Sequence, residues 1–200
     1  MSFDLVPAEF LAAAFSAVLM SVAIAFPLAA GIIAGPRRSW SRAGLAMGTG
    51  LLAGVVLTGA TAIAGLETLQ TLATIGLVLG LVCAIGAAVL VILLEDGNTL
   101  ATTVGIIACV LIGIGQPGRT LPAMQELSSS ILVVIASVVI GAVALVAITG
   151  FLVAAAGRVR ALQIGVAVAA ILAALMIAIG MLLPEPPVLL TLITVLVVLA

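Results

Sequence analysis

Histidine, lysine and tyrosine are absent from this chain of 200 residues, and only 6% of its residues are charged. Without histidine there is no imidazole general base, no histidine-ligated haem and no histidine metal site. Without lysine there is no Schiff-base attachment of retinal and no phosphate-binding loop of the Gly-Lys-Ser/Thr type. We therefore predict no catalytic, cofactor-binding or metal-binding residue, and we expect that the protein is not an enzyme.

Cysteine is scarce as well, and the two cysteines, Cys83 and Cys109, each lie inside an apolar run. A disulfide framework is read from cysteines spaced along a small extracellular domain, which this pattern does not resemble. Metal ligation would need further ligands, and no histidine is present to supply them. We therefore predict that both cysteines are small core residues.

What the chain does have is hydrophobic residues, which make up 66% of it and give a mean hydropathy of +1.58. A soluble domain carries roughly 25% charged residues on its surface. A chain with so few polar residues cannot cover itself in water, so the bilayer is the solvent that fits it. The sequence predicts an all-α, polytopic membrane helix bundle that forms a single domain over residues 1–200.

Polar breaks divide the chain into seven apolar runs, each a candidate transmembrane helix of about 20 residues. The predicted spans cover residues 10–35, 43–65, 71–94, 100–115, 129–156, 163–183 and 188–200. The fourth is short and is followed by a predicted loop over 116–128, which contains Pro117 and Pro122. The last could cross the membrane fully or only in part. Pro27 predicts a kink in the first span.

Arginine is distributed unevenly over the predicted loops. If every run crosses, one side of the membrane holds Arg37, Arg38, Arg42, Arg158 and Arg160. The opposite side holds Arg119 alone. Because positive residues favour the cytoplasmic side, this bias predicts that the fourth run crosses and that the N-terminus lies outside. The leader before the first run carries Asp4 and Glu9 but no arginine, which favours a first spanning helix over a signal peptide.

A shift of 120 residues aligns Arg38 with Arg158 and gives 11 identities between residues 11–80 and 131–200. That count is modestly above what a chain so rich in alanine, leucine and valine gives by chance. Four crossings separate the two segments, so they would run in the same direction through the membrane. The pattern predicts a weak parallel repeat joined by the helix at about 100–115, an arrangement found in some transporters.

Glycines recur four residues apart in the first three predicted spans. The pairs are Gly31 and Gly35, Gly44 and Gly48, Gly50 and Gly54, and Gly76 and Gly80. Small residues at this spacing lie on one helix face and allow two helix backbones to approach closely. We predict that these glycines pack helices together; the alternative is a narrow path lined by glycine backbone.

No Asp, Glu or Arg lies near the middle of a predicted run, which argues against a proton or ion path built on a buried charge. Among the hydroxyl residues, Thr58, Thr61 and Thr149 are candidates to line a path for a solute. The alternative for each is a hydrogen bond to the carbonyl four residues earlier. The five arginines on one side are predicted to anchor the chain and to contact lipid phosphate. Glu95 and Asp96 are predicted to form a solvated helix end.

Two classes of function remain open at this point. The first is a small multi-pass transporter or permease for a neutral or weakly polar solute, which predicts a polar cavity inside the bundle. The second is a non-catalytic subunit of a larger membrane complex, which predicts small residues turned outward for another chain. We expect the lipid bilayer of a prokaryotic plasma membrane as its surroundings and no nucleic acid partner. Other subunits and a second copy of the chain remain alternatives as partners.

Overall fold

The computed structural model describes residues 7–64, 67–94 and 98–182, and within them it contains only helices. These are α1 (Ala8–Ile33), α2 (Trp40–Ala64), α3 (Glu67–Leu93), α4 (Thr99–Leu127), α5 (Ile131–Ala156) and α6 (Arg160–Leu182), with one 3-10 turn at Arg37–Ser39. All six are long and apolar enough to cross a membrane. For the described residues, the prediction of an all-α chain with several helices able to span a membrane is thereby confirmed, whereas the count of seven is not. The seventh predicted span lies outside the described residues, and so do Glu95 and Asp96.

Helix α4 differs from the sequence-based prediction. A short span with a loop over 116–128 was expected, but the helix continues for 29 residues and includes Pro117 and Pro122. Each proline removes one hydrogen bond from the helical ladder. Burial offsets this loss, because the segment around Gln116 and Thr120 packs inside the bundle. The prolines were therefore read wrongly as the end of the helix. Helix α1 likewise continues past Pro27.

Neighbouring helices alternate in direction. Gly50 contacts Val110 and Gly54 contacts Ile114, so the partner is 60 residues further along the chain in both cases. A constant offset means that α2 and α4 are parallel. Helix α1 is antiparallel to α4, since Leu28 approaches Cys109 while Gly31 approaches Gly105. Helix α4 therefore crosses the bundle, and it packs against α1, α2 and α3.

The pairing of α1 with α5 is parallel and is fixed by two polar contacts. The Ser21 hydroxyl donates to the carbonyl of Gly141 at 2.7 Å, and the Arg37 guanidinium donates to the carbonyl of Gly157. Both contacts join residues 120 apart. The α1–α2 and α5–α6 connections therefore lie side by side at one end of the bundle. We call this the arginine-rich end, since it holds Arg37, Arg38, Arg42, Arg158 and Arg160.

The core of the bundle consists mainly of small side chains, with alanines from all six helices fully or almost fully buried. Small residues let the helices approach closely in a membrane, where apolar side chains gain little from leaving lipid. Large apolar side chains cover the outside instead; Leu45, Leu52 and Ile131 are each at least 70% exposed. Cys109 is buried as predicted, whereas Cys83 is only partly buried.

Candidate functional site

Among the residues that the structure describes, Arg119 is the one charged residue that lies more than a turn from either end of its helix. It belongs to α4 and precedes the last residue of that helix by eight positions, which is about 12 Å at 1.5 Å per residue. The sequence had placed Arg119 in a loop and all charges at helix ends or in loops. That prediction was wrong because it ended α4 at residue 115. The guanidinium makes no hydrogen bond within the described part of the chain and is partly buried.

Two cavities adjoin Arg119, one lined in part by α1 and the other in part by α3. The larger, of about 370 Å³, lies between α3, α4 and α6 and is called here the Arg119 cavity. Its described lining includes Thr74, Leu77, Gly115, Gly118, Arg119, Pro122, Ala123, Glu126, Gly180 and Met181. The smaller, of about 70 Å³, lies between α1, α4 and α6 and is lined by Met20, Ala23, Ile24, Arg119, Thr120 and Ile177. Arg119 is common to both.

The polar groups beside Arg119 fall into two kinds. Gln116 and Thr120 bond to each other at 3.1 Å, and the Thr120 hydroxyl donates to the Gln116 carbonyl at 3.0 Å. The Thr120 hydroxyl is therefore engaged both as an acceptor from the Gln116 side chain and as a donor to the helix backbone. The Gly118 carbonyl is different: its helical donor would be residue 122, and Pro122 has no N–H. The Arg119 cavity thus combines guanidinium donors with a carbonyl acceptor that has lost its usual helical partner.

Among the described residues that line the Arg119 cavity, one carries a positive charge and one carries a negative charge. Arg119 supplies a positive charge and Glu126, seven residues further along α4, supplies a negative one. Glu126 is exposed, near the C-terminal end of the helix, whereas Arg119 lies deeper. A cavity with one charge of each sign suits a solute that is neutral overall and carries both hydrogen-bond donors and acceptors.

The predicted path-lining residues do not come together. Thr58 lies about 27 Å along α2 from the arginine-rich end, and Thr149 about 10 Å along α5 from that end, so their depths differ by about 17 Å. The Thr58 hydroxyl donates to its own Gly54 carbonyl at 2.7 Å, the alternative foreseen for it. Thr149 is buried, and its hydroxyl has no hydrogen-bond partner in the described part. The Thr61 side chain lies outside the described residues. Thr74, which lines the Arg119 cavity, was not among these candidates.

The predicted packing glycines divide into three groups. Gly31, Gly50, Gly54 and Gly80 lie against α4 so closely that an added β-carbon would come within 3.0 Å of one of its atoms. Gly76 is looser, at 3.8 Å from α4, and Gly35 lies against Ser39 and Thr102. Gly44 and Gly48 are different, because a β-carbon on either would meet no heavy atom within 4 Å.

A second polar pocket, of about 360 Å³, lies at the arginine-rich end and is called here the arginine pocket. Its described lining is Ile33, Gly35, Pro36, Arg37, Trp40, Gly157, Arg158, Val159, Arg160 and Gln163. Three of the five arginines predicted to contact lipid phosphate therefore meet in one place. Arg38 and Arg42 lie outside this lining.

A signal for Arg119 was present in the sequence. Gln116, Arg119 and Thr120 are spaced i, i+3 and i+4, which places them on one face of a helix. The prolines that interrupt this stretch hid that periodicity. Comparison of the chain with protein-family models, curated proteins and solved structures finds no match.

Proposed function

We propose that the protein is a small multi-pass transporter or permease for a neutral or weakly polar solute, which binds in the Arg119 cavity. The observation that carries this proposal is an arginine inside α4 that lines two cavities and makes no hydrogen bond within the described part of the chain. An arginine inside a membrane bundle is costly, and such residues commonly mark a substrate path. The solute would accept hydrogen bonds from Arg119 and donate one to the Gly118 carbonyl.

Osmotic recovery of proteoliposomes tests this proposal. Vesicles that contain the full chain are challenged with glycerol, urea, erythritol, glucose or glycine, and their volume is followed by stopped-flow light scattering. We expect at least one solute to restore the volume faster than in protein-free vesicles. Ala123→Phe, which places an aromatic ring at the lining of the Arg119 cavity, should remove that gain.

Ala154→Phe is the matched control, since Ala154 is exposed on α5 and lies far from the Arg119 cavity. Both variants should elute from size-exclusion chromatography as the wild type does. If the five solutes enter no faster than in protein-free vesicles, transport of such solutes is refuted. If Ala123→Phe transports as fast as Ala154→Phe, the Arg119 cavity is not the path.

The second candidate function is a non-catalytic subunit of a larger membrane complex. One observation favours it: Gly44 and Gly48 face outward on α2, next to the exposed Leu45. Outward glycines four residues apart would let the helix of another chain approach closely. Extraction in mild detergent followed by native mass spectrometry separates the two functions. Foreign chains at fixed stoichiometry would support the subunit, whereas a monomer or homo-oligomer would favour the transporter.

We further propose that the arginine-rich end faces the cytoplasm and that the N-terminus lies outside, because five arginines lie at that end. Ser41→Cys places a thiol in the exposed first turn of α2, in a background where Cys83 and Cys109 are replaced by alanine. A membrane-impermeant maleimide should label it in inverted vesicles and not in intact cells. Labelling in intact cells alone would show that the arginine-rich end faces the outside.

A further inference from the structure

Arginines from two distant parts of the sequence meet in the arginine pocket. Arg37 follows α1, whereas Arg158 lies between α5 and α6 and Arg160 begins α6, and the parallel packing of α1 on α5 brings them together. Trp40, the first residue of α2, lines the same pocket. No acidic side chain is among the described residues that line it. The pocket is therefore a concentration of positive charge in a cavity of about 360 Å³, within the usual range for small-molecule sites.

Two of the arginines are held in position by backbone carbonyls. Arg37 donates to Gly157, and Arg160 donates to Val91 at 2.6 Å and to Leu94 at 2.8 Å, which joins α6 to the C-terminal end of α3. A guanidinium has five N–H donors, so one contact leaves Arg37 with several to offer. Arg158 makes no side-chain hydrogen bond within the described part of the chain.

The carbonyls nearest the pocket are already engaged as acceptors. The Trp40 indole N–H donates to Gly35 at 3.2 Å, and Arg37 donates to Gly157. These two carbonyl oxygens thus repel an entering anion less than free carbonyls would. The available groups are mainly donors, and their geometry suits the tetrahedral oxygens of phosphate, which arginine recognises with paired N–H groups.

We propose that the arginine pocket is a specific site for one phosphate group of net negative charge, held by Arg37 and Arg158. The phosphate belongs to an anionic phospholipid headgroup or to a free phosphate in solution; the recognition chemistry is the same for both. A tryptophan at this position is typical of the membrane–water interface, where lipid headgroups lie. The site is independent of the proposed transport function, since it lies at the opposite end of α4 from the Arg119 cavity.

Native mass spectrometry of the delipidated full chain in mild detergent tests the site. The protein is titrated in separate arms with dioleoylphosphatidylglycerol, with dioleoylphosphatidylcholine and with sodium phosphate. We expect the wild type to retain one phosphatidylglycerol at concentrations where phosphatidylcholine is not retained. Arg158→Gln should weaken that retention about fivefold, the effect of one basic residue near an anionic headgroup.

Arg42→Gln is the matched control, because it removes one positive charge from the same end of the bundle but outside the arginine pocket. It should leave the retention unchanged. Sodium phosphate that stabilises the wild type and displaces phosphatidylglycerol would assign the site to free phosphate, and no effect of sodium phosphate would assign it to the lipid. The proposal is overturned if neither anion binds, if both lipids are retained equally, or if Arg42→Gln weakens binding as much as Arg158→Gln.

Discussion

Replacement of Gly54 by alanine measures how closely α2 must approach α4. A β-carbon on Gly54 would lie 2.5 Å from the Ile114 carbonyl oxygen and 2.9 Å from that of Gly113. Both atoms are backbone, so no side-chain rotation can relieve the contact, and the two helices must separate. Added methyl groups in a well-packed core cost about 1–3 kcal/mol.

The net effect is smaller than this contact cost, because alanine favours a helix over glycine by about 0.5–1 kcal/mol. Because both contacts are with backbone atoms and are shorter than 3.0 Å, the contact cost lies in the upper part of the range of about 1–3 kcal/mol, and we expect Gly54→Ala to lower the free energy of unfolding by about 1–2 kcal/mol. Since 1 kcal/mol shifts the midpoint of a 150–250-residue chain by about 2–4 °C, the midpoint should fall by about 2–8 °C. Heating in mild detergent, followed by size-exclusion chromatography of the remaining folded protein, measures this shift.

Gly48→Ala is the control on the same helix, since a β-carbon there meets no heavy atom within 4 Å. It should retain or raise the midpoint. Equal midpoints for Gly54→Ala and Gly48→Ala would refute the close contact between α2 and α4. A loss of co-purifying chains in Gly48→Ala would show instead that the outward glycines form an interface, as the subunit function requires.

Three further substitutions test other parts of the bundle. Pro122→Ala restores an N–H donor for the Gly118 carbonyl, so the thermal midpoint should rise and solute entry into proteoliposomes should slow. If the rate of solute entry is unchanged, the Gly118 carbonyl does not bind the solute. Ser21→Ala loses the hydrogen bond to Gly141, so the free energy of unfolding measured by heating should fall by about 0.6 kcal/mol. An unchanged free energy of unfolding would mean that this hydrogen bond is not formed in the membrane. Thr149→Val removes a buried hydroxyl that has no partner in the described part of the chain, so the free energy of unfolding should rise by about 1 kcal/mol. The rate of solute entry should stay constant, and slower entry would show that Thr149 lines the solute path.

The six described helices could be predicted from hydropathy because the bilayer imposes a minimum apolar length on every crossing. Five of them begin and end close to the predicted limits, and α4 begins close to its predicted start; Pro36, Asn98 and Gly157 supply recognisable ends. The Asn98 side chain, for example, accepts a hydrogen bond from the Leu100 N–H at 2.8 Å and begins α4. Local chemistry is sufficient at such positions because water or a side chain satisfies the free backbone groups.

The far end of α4 could not be predicted in the same way. Proline in a sequence indicates a break, but the outcome depends on whether neighbouring helices satisfy and bury the interrupted backbone. Here Gly115 lies against Leu77 and Gly118 against Ala73, so α3 covers the segment that contains Pro117. These contacts are tertiary and leave no local signal. The position of Arg119 within a helix was missed for a different reason, because the helical spacing of Gln116, Arg119 and Thr120 is interrupted by prolines that indicate a break.

The prolines and Arg119 form one arrangement in α4. A continuous helical ladder would leave every carbonyl in the interior of α4 bonded to its usual helical donor. Pro122 removes the donor of the Gly118 carbonyl one residue away from Arg119, and both residues line the same cavity. Glycine at 118 also lets α4 approach α3, since a β-carbon there would lie 3.1 Å from that of Ala73. The features that made this segment look like a loop are therefore those that give the cavity both a donor and an acceptor for a polar solute.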